Sequence, residues 1–232
     1  MKTKTIILLL ICAAITAETS AQIQWGVKGG GNMSGVLLKD EAGYTKVKLR
    51  PGFHFGGTAD ISVSDNFSLQ PALLFTTKGF TMDNDGFSQY LNGVDNIKFT
   101  SYHIELPINL IFKPIAGNGR LLLGAGPYLA YGFGGQWKAA ANGVSVTGKL
   151  KFLNDLSDAD SSLGGNSRTI PYFKPFDFGA NILIGYEFRK NIYFHINGQL
   201  GLRDLDPAYN GVNDEKSSVK TAQGGISIGY RF

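Results

Sequence analysis

Gly224–Phe232 reads GGISIGYRF, setting Ile226, Ile228, Tyr230 and Phe232 in strict alternation with Ser227, Gly229 and Arg231. Period-two alternation marks a strand with one apolar and one polar face. Strands that close soluble domains usually fray into polar residues. This one carries its apolar face onto a bare aromatic.

The same alternation recurs in seven earlier segments: QWGVKGGGNM (24–33), GFHFGGTADISV (52–63), FSLQPALLFTTKGF (67–80), YHIELPINLIF (102–112), LLLGAGPYLAYGF (121–133), FDFGANILIGYEF (176–188) and IYFHINGQLGL (192–202). One face of these runs is dominated by Leu, Ile, Val, Phe, Tyr and Trp, and the other is expected to be glycine, small polar or charged. The connections alternate in length. Ser64-Asp65-Asn66, KPIAGNGR (113–120) and Arg189-Lys190-Asn191 are short, whereas the others are polar and run from about 15 to about 40 residues. Structureless loops of that length argue against a compact soluble domain. Short turns on one rim and long loops on the other are the pattern of a transmembrane barrel.

The longest connection contains Asn142-Gly143, a hairpin signal, followed by alternating Val144, Val146, Leu150 and Phe152. A ninth full strand here would put the later short turns on the wrong rim. Val144–Phe152 is therefore expected as a hairpin rising above the membrane. The expected fold is all-β: an eight-stranded antiparallel barrel with long extracellular loops and short periplasmic turns. Its last strand must pair with its first, because a membrane sheet tolerates no open edge.

Alternation alone also fits a soluble lipocalin-like barrel with apolar interior and polar exterior. The aromatics at strand ends (Trp25, Phe53, Tyr102, Phe112, Tyr131, Phe188), the loop asymmetry and the apolar last strand favour the membrane version, in which such residues form interfacial girdles.

The first residues agree. Lys2 and Lys4 precede an apolar run, Ile6 to Ile15, and then small residues at Ser20 and Ala21. This is the order of a secretory signal peptide cleaved before Gln22, and the run is shorter than the ~20 residues a spanning helix needs. Cys12 would suit a lipoprotein only with a small residue before it, and Ile11 is bulky. The expected organisation is a signal peptide at 1–21 and a barrel domain at 22–232. Cys12 is the chain's one cysteine, so the exported domain has neither disulfide nor thiol chemistry.

Composition fits. The chain has 31 glycines, 12% aromatics and 17% charged residues, which together suit β structure rather than disorder. The net charge of +4 is scattered, so nucleic acid is not an expected partner.

On the inward faces, Lys28, Asp60, Glu187 and Arg231 are expected near the periplasmic rim, with Lys78 and Glu105 higher. Unpaired charges in a narrow tube are costly, so opposite signs should pair. The lumen is expected to be plugged by two ionic layers, the alternative being charges hydrated by lumen water.

His54 and His103 are expected towards the outer rim and His195 nearer the periplasm. Ser101 beside His103 is not enough for a triad, which is defined by geometry, and no G-x-S-x-G stretch occurs, so catalysis is not expected. DNDG (83–86) and Asp155, Asp158 and Asp160 resemble fragments of calcium loops without the closing glutamate. They read as solvated acidic loops. GAGPYL and GGGN lack the following Lys-Ser/Thr and helix of a phosphate cradle. No cofactor or metal is expected.

LQPALLFTTKGF, SYHIELPINLIF, LLLGAGPYLAYGF and the closing GISIGYRF together resemble the PorT-like outer-membrane β-barrel proteins of Bacteroidetes. The resemblance spans essentially the whole exported chain, and its recognisable pieces are Leu69–Gly79, Glu105-Leu106-Pro107 and Gly126-Pro127-Tyr128. It implies an outer-membrane location and no catalytic residues. Tyr230 and Phe232 then stand as the signal read by the barrel insertion machinery. A founding member is implicated in protein secretion, but the family is broad and that role does not transfer. The expected function is structural or interactive, with outer-membrane lipid and a surface or periplasmic protein as partners. The alternative is a small pore or a conduit for hydrophobic ligands.

Overall fold

The computed structural model describes residues 23–40, 43–45, 47–83, 95–141, 143–156, 169–188, 191–209 and 218–232. The expected signal peptide, residues 84–86, and Asp158 and Asp160 lie outside them. Among the described residues, eight long strands form the wall: β1 (Ile23–Asp40), β2 (Lys48–Ser64), β3 (Phe67–Asp83), β4 (Asn96–Phe112), β5 (Gly119–Ala141), β6 (Phe176–Phe188), β7 (Ile192–Gly201) and β8 (Ser218–Arg231).

Each strand pairs antiparallel with its neighbour in the chain. β1 pairs with β8 from Gly26 opposite Arg231 to Lys39 opposite Ser218. The alternation of the last strand thus serves to close the ring, leaving none of the eight with a bare hydrogen-bonding edge.

The outer wall is apolar. Ile182, Ile226, Ile228 and Leu73 are each at least 60% exposed, and with their neighbours they form a patch far larger than a soluble monomer presents. Aromatics collect at its two ends. Towards the long loops, the Phe53, Phe55, Phe75, Tyr102 and Phe133 rings stand 5.4–6.5 Å apart in a connected row. At the other end Phe67 meets Phe112, Phe188 meets Tyr186 and Phe194, and Tyr230 meets Phe232. Tyr102 and Phe112 are ten residues apart on β4, ~34 Å along the strand. Tilted as barrel strands are, that spans about 25 Å of height, the thickness of a lipid-facing band.

Two features shape the ends of the ring. Val144–Phe152 pairs antiparallel with the upper half of β5, while β6 pairs with the lower half, from Tyr131 opposite Phe176 downwards. It is therefore the expected hairpin beyond the ring. Thr169–Phe173 adds to it in parallel, and Asp155–Leu156 pairs with Ala208–Tyr209, which ties the connections after β5 and β7 together. At the opposite rim Asn191 has φ 58°, a left-handed conformation that asparagine tolerates better than most residues.

The inner wall differs from expectation in composition. It is not only glycine and polar groups: Ile111, Leu122, Leu183 and Tyr193 pack together inside the barrel, and Leu74 and Tyr128 are also buried. A barrel of this size is filled by side chains, and polar groups alone would require a hydrogen-bond partner for every atom. Tyr193 illustrates the packing. It lies directly opposite Gly229, and a Cβ at Gly229 would come within 2.2 Å of its ring. Glycine there makes room for the tyrosine to cross the lumen.

Candidate functional site

The lumen is the candidate site, and its contents lie in tiers. At the periplasmic end Asp60 accepts from Lys113, whose Nζ lies 2.6 Å from both carboxylate oxygens. It also accepts from Gln70 at 3.1 Å and sits 3.1 Å from Arg231. Arg231 reaches Glu187 at 2.5 Å, and its guanidinium lies 4.9 Å from the Tyr193 ring centre. All four charged groups are largely buried, and the two cations balance the two carboxylates. A mouth of about 490 Å³ opens below them, bordered also by Asp65 and Arg120.

Above the Ile111–Leu122–Leu183–Tyr193 layer lies a polar tier. The His54 Nε2 is 2.7 Å from Ser227 Oγ, and His195 stands opposite Ser227 on β7. Lys28, Glu105, Asn109 and Gln223 border the same cavity, which holds only about 20 Å³. That is room for roughly one water. Among the described residues, the amide oxygens of Asn109, Asn197, Gln199 and Gln223 have no protein partner.

Higher still, Lys78 pairs with Glu105 at 2.5 Å, both almost fully buried. Thr76 donates to the same carboxylate at 3.2 Å. The Lys78 ammonium stands 5.0 Å from the centre of the Tyr128 ring. Tyr128 in turn donates to Asp177 at 3.0 Å, and Thr221 donates to that carboxylate at 2.7 Å.

The outermost tier is apolar. Val36, Phe80, Phe99 and Leu150 form a buried cluster flanked by Trp137 and Phe173. Phe80 stacks on Phe99 at 4.6 Å, and Phe173 meets Phe80 edge-on. Phe152 packs against His103. Leu150, Phe152, Phe173 and Leu205 surround a space of only about 30 Å³ here.

The structure brings together most of the residues singled out from sequence, but not in the expected grouping. Asp60, Glu187 and Arg231 meet at the periplasmic end, and Lys78 meets Glu105. Lys28 does not join the lower layer: it points into the middle tier, and among the described residues no carboxylate lies within ion-pair distance. On β1 it stands two positions above Gly26, which faces Arg231, and the strand's tilt carries it past the Ile111 layer. The histidines are also regrouped. His54 and His195 flank Ser227 at one level, because the staggered register sets His195, Ser227, Gly30 and His54 in one row.

Lys113 was missed since it falls in a turn, outside any alternating run. Asp177 and Tyr128 were legible as inward by parity, yet their pairing depends on β5–β6 register. The hydrophobic tier was hidden because its residues belong to loops or to strand extensions above the membrane. Of the acidic loop residues, Asp83 pairs with Lys48 and Asp155 lies in the short ribbon at the long-loop end of the barrel. Tyr230 and Phe232 face outward at the periplasmic rim.

The outer wall carries a concavity. Met33, Leu49, Ala180, Ile182, Leu200 and Ala222 border an apolar groove of about 430 Å³.

Solved structures with comparable folds are outer-membrane barrels. The outer membrane protein OprG from Pseudomonas aeruginosa shares 14% identity and a TM-score of 0.49, over 91% of this chain and 97% of its own. Ail, the attachment invasion locus protein of Yersinia pestis, shares 13% identity and a TM-score of 0.41, over 90% and 98%. Neisserial surface protein A shares 11% and 0.41, over 90% and 97%. No curated protein matches the chain significantly. The family model for the outer membrane protein beta-barrel domain matches residues 17–206, most of the chain. The chain belongs to the outer membrane protein beta-barrel domain family.

Proposed function

We propose that this outer-membrane barrel is sealed, and that it acts as a structural or interaction protein through the β structure standing above its ring. The observation that carries this reading is the stack of lumen tiers: paired charges below, paired charges in the middle and an apolar plug above, with internal spaces of about 20 and 30 Å³. A hydrated ion does not fit such spaces, and Phe80, Phe99 and Leu150 offer a water no hydrogen-bond partner. The experiment is swelling of liposomes containing the refolded protein in sugars and amino acids. Absence of swelling supports the sealed barrel; size-dependent swelling points to a pore.

A second reading is a conduit for hydrophobic ligands. The lipid-facing groove beside Met33 and Leu200 favours it, as does the apolar tier at the mouth. Uptake of a fluorescent long-chain alkane derivative into proteoliposomes, lost on Leu150→Asp, would support the conduit over the sealed barrel.

The finer family reading goes with this proposal. A PorT-like identity rests on the sequence resemblance. Export by residues 1–21, insertion guided by Tyr230 and Phe232, a surface or periplasmic protein partner, and the lack of a catalytic role are parts of the same proposal. If Phe232→Ala chains assembled in cells as fast as the wild type, the insertion signal would have to lie elsewhere.

A further inference from the structure

Just above the upper aromatic row, the outer wall changes from aromatic to basic. On β4 the outward positions run Tyr102, Thr100, Lys98; on β5 they run Phe133, Gln136, Lys138, with an irregularity in the pairing beside Tyr102 and His103. Lys98 stands directly opposite Lys138, and Thr100 opposite Gln136. The hairpin continues the pattern, with Lys149 opposite Gln136 and Thr147 opposite Lys138. Lys98, Lys138 and Lys149 are all exposed.

Like charges directly opposite on antiparallel strands are destabilising, so the row Lys98–Lys138, extended by Lys149, has a cost in the isolated protein. Among the described residues, Asp83, opposite Asn96, is engaged by Lys48. Lys98 lies four residues beyond Tyr102, ~13 Å along the strand. With the tilt of membrane barrels that is about 10 Å of height above the aromatic row. The headgroup layer of a bilayer lies at that depth. Beneath the lysines, Phe75, Tyr102 and Phe133 form a cluster of mutually tilted rings with centroids 6.2–6.5 Å apart.

We propose that Lys98, Lys138 and Lys149, with Thr100, Gln136 and Thr147 between them, form a binding site for the phosphorylated headgroup of an outer-leaflet glycolipid. The acyl chains of that lipid pack on Phe75, Tyr102 and Phe133. A phosphate between Lys98 and Lys138 turns their repulsion into two charge-assisted hydrogen bonds, and the hydroxyl and amide groups between the lysines are suited to sugar oxygens. A lipid is the fitting occupant because the cationic row is continuous with the aromatic one: a soluble polyanion would use only the upper half. The site is independent of whether the lumen conducts.

The test uses the full refolded barrel in nanodiscs and native mass spectrometry with three probes: a diphosphorylated lipid A, the same lipid without phosphates, and heparin. The triple variant Lys98→Gln, Lys138→Gln, Lys149→Gln changes only exposed side chains. Lys39→Gln with Lys220→Gln is the control for loss of charge elsewhere on the extracellular side. The wild type and the control should retain diphosphorylated lipid A roughly tenfold better than the triple variant, and better than either retains the dephosphorylated lipid. Equal retention by wild type and triple variant would overturn the proposal, as would indifference to the phosphates. Heparin binding as tight as that of the lipid would mean a soluble polyanion is the occupant, and would overturn it too.

Discussion

Lys113 holds both carboxylate oxygens of Asp60 at 2.6 Å, although the two residues are 53 positions apart in sequence. One stands on the inward face of β2 and the other just beyond the end of β4. Their contact bridges over β3, which pairs with both strands, at the periplasmic end, and Arg231 joins it from the last strand. The lumen is thus crosslinked by charge at the level where β8 meets β1.

Removing the shared acid should therefore cost more than a surface charge would. Asp60→Asn leaves Lys113 and Arg231 buried beside a neutral amide. Breaking a buried pair in this way costs on the order of 3–5 kcal/mol. Denaturant unfolding of the refolded protein in detergent micelles measures it, and a loss below about 1 kcal/mol would mean that lumen water hydrates these charges.

The upper pair offers a sharper comparison. Glu105→Gln strands the Lys78 ammonium among Thr76, His103 and Tyr128, with an expected loss of about 3–5 kcal/mol. Lys78→Met combined with Glu105→Leu removes both charges, and the double variant should unfold at higher denaturant concentration than Glu105→Gln. If the double variant is the weaker of the two, the pair contributes net stability rather than mutual compensation.

These pairs show what sequence could and could not disclose. Parity alone placed Lys78 and Glu105 on inward faces of adjacent strands, so their meeting was legible. Parity also placed Asp60, Glu187 and Arg231 inward near one rim. Lys28 has the same parity, but its height depends on stagger around the closed ring, which no single strand encodes. Lys113 sits in a turn without periodicity. The inward Leu122 and Leu183 were hidden because runs such as LLLGAG and ILIG carry no polar side chain, and alternation disappears there. The plug of Leu150, Phe152 and Phe173 arises within the long connection from β5 to β6, folded back against Phe80 and Phe99 of the wall. The ring itself was the most legible part, since eight alternating runs and the turn lengths carry it.

Gly229 should tolerate a methyl group far less well than Gly224, although both lie on β8. A Cβ at Gly229 falls 2.2 Å from the Tyr193 ring, whereas at Gly224 the nearest atom is 3.9 Å away. Gly229→Ala is expected to cost about 1–3 kcal/mol, the usual penalty of overpacking, with Gly224→Ala close to neutral. Parallel unfolding curves decide it, and equal costs would mean that Tyr193 does not occupy the lumen as described.

Ile182 lies midway along β6, and its side chain is 65% exposed on the outer wall. At a lipid midplane, Ile182→Arg should cost about 2–4 kcal/mol in a bilayer. A water-facing surface position would change stability by no more than about 0.5 kcal/mol. Refolding into liposomes across a urea series separates these outcomes and tests which face of the wall meets lipid.

The most direct measurement of the central claim, that tiers of paired charge and apolar side chains seal the lumen, is single-channel conductance in a planar bilayer, with Glu105→Ala recorded beside the wild type. The account predicts a silent wild type and leak current in the variant, where Lys78 loses its partner and the middle tier loosens. Discrete, reproducible opening steps in the wild type would contradict it and make the barrel a pore.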